Sequence, residues 1–309
     1  MKNRLRMVLF TTALMSLLCS WESKAMAQNS TLDTTSSSNN VERLSETKWL
    51  SIPHLNCQVN YEVSGYGEPT IVFVHGLATN MDCWKKQVEF FQRKMRVVNI
   101  NLPYVGDGWH YNTNIDYTFD VLADVVYEVI KDVRASNVVF VGHSSGLAVG
   151  RQLVFNHPGV VAKFVNVDGS GWFYPPEDDP NRAKFIDWLN NSFLASVSKP
   201  EVTADFINRM CPVGVTNEDI RAYVEKCIYG FPPNLAENLF YNITREQLWL
   251  PKQWDVETLC IYAKPPDMVK EVLLHSNAQI VVVDSVGHFI QMEKPQVVNE
   301  VVNGFVFKK

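Results

Sequence analysis

An α/β layered fold on a mostly parallel sheet is predicted by three features of this 309-residue chain. Strand-like and helix-like runs alternate along most of its length, the signature of helices covering a sheet. Several strand runs are nearly unbroken Val, Ile and Phe, as when both faces of a strand are buried. The alternation is interrupted once, between about residues 170 and 255, by a purely helical stretch that reads as an insertion between two strands.

The strands expected are 57–63, 70–75, 97–101, 137–141, 163–168, 258–262 and 279–284, with helical patterns between them at 81–94, 119–133, 147–156 and 295–305. The insertion reads as three or four helices, at about 181–196, 200–210, 217–229 and 234–247, and is dense in aromatic residues. Most of these aromatics are expected to pack the inserted helices onto the main body. Trp172 and Phe173 follow directly on a sheet strand and are expected to line a substrate pocket.

The first 27 residues stand apart. Lys2, Arg4 and Arg6 precede an apolar run from Met7 to Cys19, and Ala25-Met26-Ala27 has the small-x-small form of a cleavage site. This is the pattern of a secretory signal peptide, with a mature chain from about Gln28 that is secreted or periplasmic. The apolar run is shorter than a membrane span requires. Residues 28–45 are rich in Ser, Thr and Asn and read as a flexible linker to a domain over 46–309.

Loss of residues 1–27 removes four basic residues and one acidic, taking the formal charge from −5 to −8. An acidic chain without basic clusters argues against nucleic acid as a partner. Five cysteines remain, an odd number for an oxidising compartment, and Cys211 and Cys227 in the inserted helices are the expected disulfide. No C-x-x-C or H-E-x-x-H spacing suggests a metal.

The chemistry is organised around Gly142-His143-Ser144-Ser145-Gly146. A buried strand ends at Gly142 and a helical pattern begins just past Ser144, the context in which G-x-S-x-G becomes a nucleophile elbow. A serine on so sharp a turn takes a strained backbone conformation, and the flanking glycines remove side chains that would clash with the adjoining strand and helix. Val74-His75-Gly76-Leu77 ends an earlier strand, and Gly287-His288-Phe289-Ile290-Gln291-Met292-Glu293-Lys294-Pro295 follows the last one.

These three stretches, in this order, resemble the α/β-hydrolase superfamily from about Trp49 onward, in the form with a helical cap between the sixth and seventh strands. Asn101-Leu102-Pro103-Tyr104-Val105-Gly106 is a looser fit to the family's Asp-x-x-Gly-x-Gly turn. The resemblance implies an α/β-hydrolase fold and cofactor-free acyl transfer. Ser144 is then the nucleophile and His288 its base, because a serine hydroxyl is a poor nucleophile without a base in hydrogen-bond reach. The backbone N–H groups of Leu77 and Ser145 are the implied oxyanion hole. His75 and His143 lie inside the motifs at positions that in the resembling family support loops. A carboxylate must orient the imidazole. Two are available, and Asp168, ending the sixth strand as in haloalkane-dehalogenase-like members, is favoured over the alternative Asp267, in the turn after the seventh.

The function expected is an exported serine hydrolase of esters or related acyl compounds, acting on a small, apolar acyl substrate. Epoxide hydrolases and dehalogenases resemble this chain but carry Asp where Ser144 stands. Carbon–carbon bond hydrolases and cofactor-free haloperoxidases keep the serine and remain open, as does a ligand-binding protein on a hydrolase scaffold.

Overall fold

A computed structural model describes residues 45–104, 112, 114–172, 174–197, 199–252, 255–264 and 278–308. The signal peptide, the linker up to residue 44, Phe173 and Asp267 lie outside the described residues. Eight strands form one sheet: β1 (Glu46–Ile52), β2 (Cys57–Ser64), β3 (Thr70–Val74), β4 (Arg96–Asn101), β5 (Val138–His143), β6 (Val161–Val167), β7 (Glu257–Tyr262) and β8 (Ala278–Val282). Their order is β1-β2-β4-β3-β5-β6-β7-β8. β2 is antiparallel to both its neighbours, and every pairing from β4 to β8 is parallel.

The period-2 geometry of a strand divides its side chains between two apolar layers. Val72, Val74 and Phe140 face one core, which α2 (Phe119–Asp132) and α3 (Gly146–Asn156) complete with Leu122, Val126 and Leu153. Ile71, Phe73, Val139 and Val141 face the other, closed by Phe91 of α1 (Lys85–Phe91) and by Val302 of the C-terminal helix Pro295–Val306. Both layers are buried and apolar, and each fully buried Val, Ile or Phe contributes roughly 1.5–3 kcal/mol. Local signals agree with the packing: the Thr118 hydroxyl accepts from the Val121 N–H, capping α2.

β1 was not among the expected strands. Its alternating pattern is largely exposed, as befits an edge strand with only Ile52 in the core. The short apolar periodicity of Glu46–Ile52 left it indistinct beside the Val-rich central strands.

Between β6 and β7 the chain forms the inserted layer: α4 (Arg182–Trp188), a π-helical turn (Leu189–Phe193), a 3-10 turn (Leu194–Val197), α5 (Pro200–Met210), α6 (Glu218–Tyr229), α7 (Pro233–Ile243) and a 3-10 turn (Glu246–Trp249). Polar ties seat this cap on the body. The buried Arg151 guanidinium of α3 donates to the carbonyls of Leu248 (2.5 Å) and Leu250 (2.6 Å). Asn238 and Asn242 of α7 donate to Asp116 Oδ1, at 2.9 and 2.6 Å. The Tyr223 hydroxyl of α6 donates to Asn80 Oδ1 at 3.0 Å.

The expected Cys211–Cys227 disulfide is not formed; both are free thiols. Cys211, at the end of α5, packs into an apolar cluster with Val224 and Phe289. Cys227 lies one turn beyond Tyr223 on α6, in hydrogen-bond contact with that tyrosine and electrostatically close to Cys83.

Among the described residues no helix is long and apolar enough to cross a membrane.

Candidate active site

Ser144 sits between the end of β5 and the start of α3 with φ +53°, the left-handed conformation that a non-glycine residue holds only under constraint. The constraint is visible on every side. The Ser144 N–H donates to the Val167 carbonyl at the end of β6, at 3.0 Å. A Cβ on Gly142 would lie 2.6 Å from the Gly146 carbonyl carbon, and one on Gly146 would lie 2.8 Å from the Val74 carbonyl oxygen. No side chain fits at either place, so the two glycines are what lets strand, helix and β3 meet so closely.

Asp168 follows directly on β6, also with positive φ (+51°), which Asp tolerates better than most residues. Its N–H donates to the Ile261 carbonyl at 2.8 Å, and its Oδ1 accepts the Ala263 N–H at 2.8 Å. Oδ2 lies 2.7 Å from His288 Nδ1, which donates to it. Burial pushes this carboxyl up. The hydrogen bond and charge of His288, with the Ala263 N–H, outweigh burial and hold it below its ordinary value. Asp168 is therefore an anion at neutral pH, bonded on both oxygens and aimed at an imidazole.

His288 lies in the turn between β8 and the short helical turn Ile290–Glu293, and its carbonyl accepts the Nε2–H of His143 at 3.0 Å. His143 is buried, and burial, with the neighbouring His288, holds its pKa down at about 3. His75 is likewise buried and lowered to about 4 by burial. Its Nδ1–H donates to the Gly76 carbonyl at 2.8 Å and its Nε2 accepts the Leu102 N–H at 3.1 Å. Both rings are neutral struts holding loops.

Ser144, Asp168 and His288 all line one cavity of about 520 Å³, together with Leu77 and Ser145. Neither the Leu77 nor the Ser145 backbone N–H meets an acceptor among the described residues. The rest of the wall is mostly apolar and comes largely from the cap, with Phe193, Phe206, Met210 and Phe240 prominent and Thr79, Ser170 and Thr203 among its polar members. Trp172 lines the cavity as expected from its place after β6, its ring 4.8 Å from that of Phe193 and 5.4 Å from that of Trp188. A second cavity of about 490 Å³ touches Asp168 and His288 as well and shares Trp172, Phe193, Phe206 and Met210 with the first.

Sequence reasoning left Phe193, Phe206 and Phe240 undistinguished among the cap aromatics. Their aromatic density was a signal, but which rings face inward depends on how four helices pack. Among the described residues no group of His, Cys, Asp and Glu is arranged to hold a metal ion.

Comparison with known proteins agrees with the architecture. A family model described as the alpha/beta hydrolase fold matches residues 69–212. A putative esterase/lipase of Haemophilus influenzae is 24% identical over 277 residues, which cover 85% of this chain and 92% of that protein. The "uncharacterized hydrolase YugF" of Bacillus subtilis is 21% identical over 251 residues, 78% of this chain and 90% of that one. The solved esterase of Exiguobacterium antarcticum superposes with a TM-score of 0.68 at 17% identity, covering 81% of this chain and 96% of its own. An epoxide hydrolase, CorEH, superposes with a TM-score of 0.67 at 17% identity over 84% of this chain and 98% of its own.

Proposed function

The chain belongs to the α/β-hydrolase superfamily, and on that premise we propose that it is an exported serine hydrolase cleaving esters of apolar acids through an acyl-enzyme. The observation that carries this reading is the 2.7 Å hydrogen bond between His288 Nδ1 and Asp168, formed at the wall of the cavity that Ser144 also lines. That bond fixes the imidazole with its proton on Nδ1, leaving Nε2 free to accept one.

Catalysis then proceeds in two halves. Ser144 Oγ forms a bond to the substrate carbonyl carbon while its proton passes to His288 Nε2. The carbonyl electron pair moves onto oxygen, where the Leu77 and Ser145 N–H groups stabilise it. Collapse of the tetrahedral intermediate breaks the bond to the alcohol oxygen, which takes the proton from His288. A water molecule repeats the sequence on the acyl-enzyme, releasing the acid and restoring Ser144. Asp168 stays ionised throughout and stabilises the transient imidazolium. The apolar cavity wall suits an uncharged acyl group and keeps the donors in a low-dielectric site.

Labelling with a fluorophosphonate, followed by peptide mapping to Ser144, and turnover across a chain-length series of p-nitrophenyl esters test this reading. A wild-type protein that neither labels at Ser144 nor turns over any ester of the series would end it. N-terminal sequencing of the exported protein checks cleavage at about Gln28.

A further inference from the structure

Among the described residues, His288 is the one member of the proposed triad whose backbone is gripped by the cap. Its N–H donates to the carbonyl of Met210, the last residue of α5, at 2.7 Å. The preceding Gly287 N–H donates to both oxygens of Glu293, at 3.0 and 2.9 Å. Glu293 Oε1 in turn accepts the hydroxyl of Thr216, a buried cap residue just before α6, at 3.2 Å. The approach is close enough that a Cβ on Gly287 would meet the Met210 carbonyl oxygen at 2.5 Å, Thr216 Oγ1 at 2.6 Å and Glu293 Oε1 at 2.8 Å.

The cap segment that makes these contacts is itself braced. Arg221 of α6 donates to the Cys211 carbonyl (2.8 Å) and to Asn208 Oδ1 (2.7 Å), and the Thr216 N–H closes a turn onto the Pro212 carbonyl at 3.0 Å. Phe289, next to His288, is buried with Cys211 and Val224 of the cap in an apolar cluster separate from the two sheet cores. Met210 also lines both cavities. A group filling either cavity therefore presses on the residue whose carbonyl holds the base.

We propose that the cap positions the catalytic histidine: Thr216 and Glu293, with the Met210 carbonyl, are positioning residues that couple cap seating to the competence of His288. The inference rests on the hydrolase reading above. Each contact is a hydrogen bond or a buried ring, and neither Thr216 nor Glu293 lines the substrate cavity. What they control is where Nε2 stands relative to Ser144 Oγ, and a misplacement of about 1 Å can cost on the order of 10²-fold in rate. Coupling of this kind is reciprocal, so occupancy of the acyl cavity also stabilises the seated cap.

The test uses the full chain with p-nitrophenyl butyrate as substrate. Thr216→Val keeps the shape of the side chain and removes the donor. It is expected to lower kcat about tenfold with KM within about twofold, by imperfect placement of the base, and to shift the acid limb of the kcat/KM–pH profile. Thr216→Ser, which restores the hydroxyl, recovers both. Glu293→Gln gives the same kcat and pH signature, and fluorophosphonate labelling of wild type protects the Met210–Thr216 amides from hydrogen exchange. A purely structural role would lower Tm and leave kcat and the pH limb at wild-type values below the transition. That pattern in Thr216→Val, the variant least able to unfold the chain, overturns the proposal while wild-type labelling at Ser144 keeps the hydrolase reading intact. Failure of the wild type to label overturns both.

Discussion

The elbow and the histidine turn do comparable jobs by different means. Ser144 is held by the body alone: β5 is buried along its whole length, β3 and β6 flank it, and the glycines that admit the turn contact only body atoms. His288 is held from two sides, by His143 of the body at 3.0 Å and by the Met210 carbonyl of the cap at 2.7 Å, with Thr216 reaching the same turn through Glu293. On the proposed mechanism the nucleophile is preorganised by fully buried strands of the body. The base is preorganised by a junction. Rigidity at one and adjustability at the other is a sensible division in an enzyme that must admit substrate beneath a cap, because the elements that move are drawn from the less stable regions.

The largest effects test whether the two halves act as one unit. Ser144→Ala is expected to reduce kcat by roughly 10⁶-fold and abolish labelling with little change in Tm, and His288→Ala to be comparably damaging. Asp168→Asn should lower kcat by about 10³–10⁴-fold through the wrong imidazole tautomer, while Asp267→Asn keeps near wild-type kcat. A dead Asp267→Asn beside an active Asp168→Asn would transfer the orienting role.

Two glycine substitutions sharpen the contrast itself. Gly142→Ala drives a methyl into the α3 backbone inside the core and should destabilise the fold by roughly 1–3 kcal/mol, seen as a lower Tm and urea midpoint. Gly287→Ala pushes against the cap instead. It should lower kcat more than it lowers Tm, the reverse of Gly142→Ala, and matching profiles for the two would erase the distinction.

Acid titration probes the joint between the regions, since His143 precedes the nucleophile and also holds the histidine turn. His75 and His143 are neutral in the fold, lowered by burial to about 4 and about 3 from 6.5. The unfolded chain therefore binds more protons below pH 6.5. Stability is full above that pH and falls as pH drops toward 4 and then 3, with a slope of up to about 1.4 kcal/mol per pH unit for each ring. Asp168, lowered in the fold, adds its loss only below its ordinary value of 3.8. Urea midpoints that stay level from pH 7 to 4.5 would contradict this.

The smallest effect is expected in the cap wall. Phe206→Ala widens the apolar cavity and should raise KM for longer acyl esters by several-fold, on the order of 1 kcal/mol, with kcat little changed. Chain-length series on wild type and variant measure it.

The central strands, the elbow and the body helices were legible in the sequence because their determinants are local: unbroken Val and Ile runs, glycines at fixed offsets, caps such as Thr118. The cap helices were legible for the same reason, and observed α5 spans the expected 200–210. β1 was lost because half of an edge strand is exposed and carries little pattern. The cysteine pairing failed because it is a question of which helix faces meet. Asp168 is favoured over Asp267 in the sequence only on the pattern of the turns, because its contact with His288 joins positions 120 residues apart and is visible only in the folded chain. Glu293 stood in plain view within its motif and grips Gly287 six residues away, yet its tie to Thr216 exists only once the cap is seated. Periodicity and turn chemistry, acting within a few residues, are written along the chain; the alignment of the base arises where distant segments pack, and only the tertiary structure decides it.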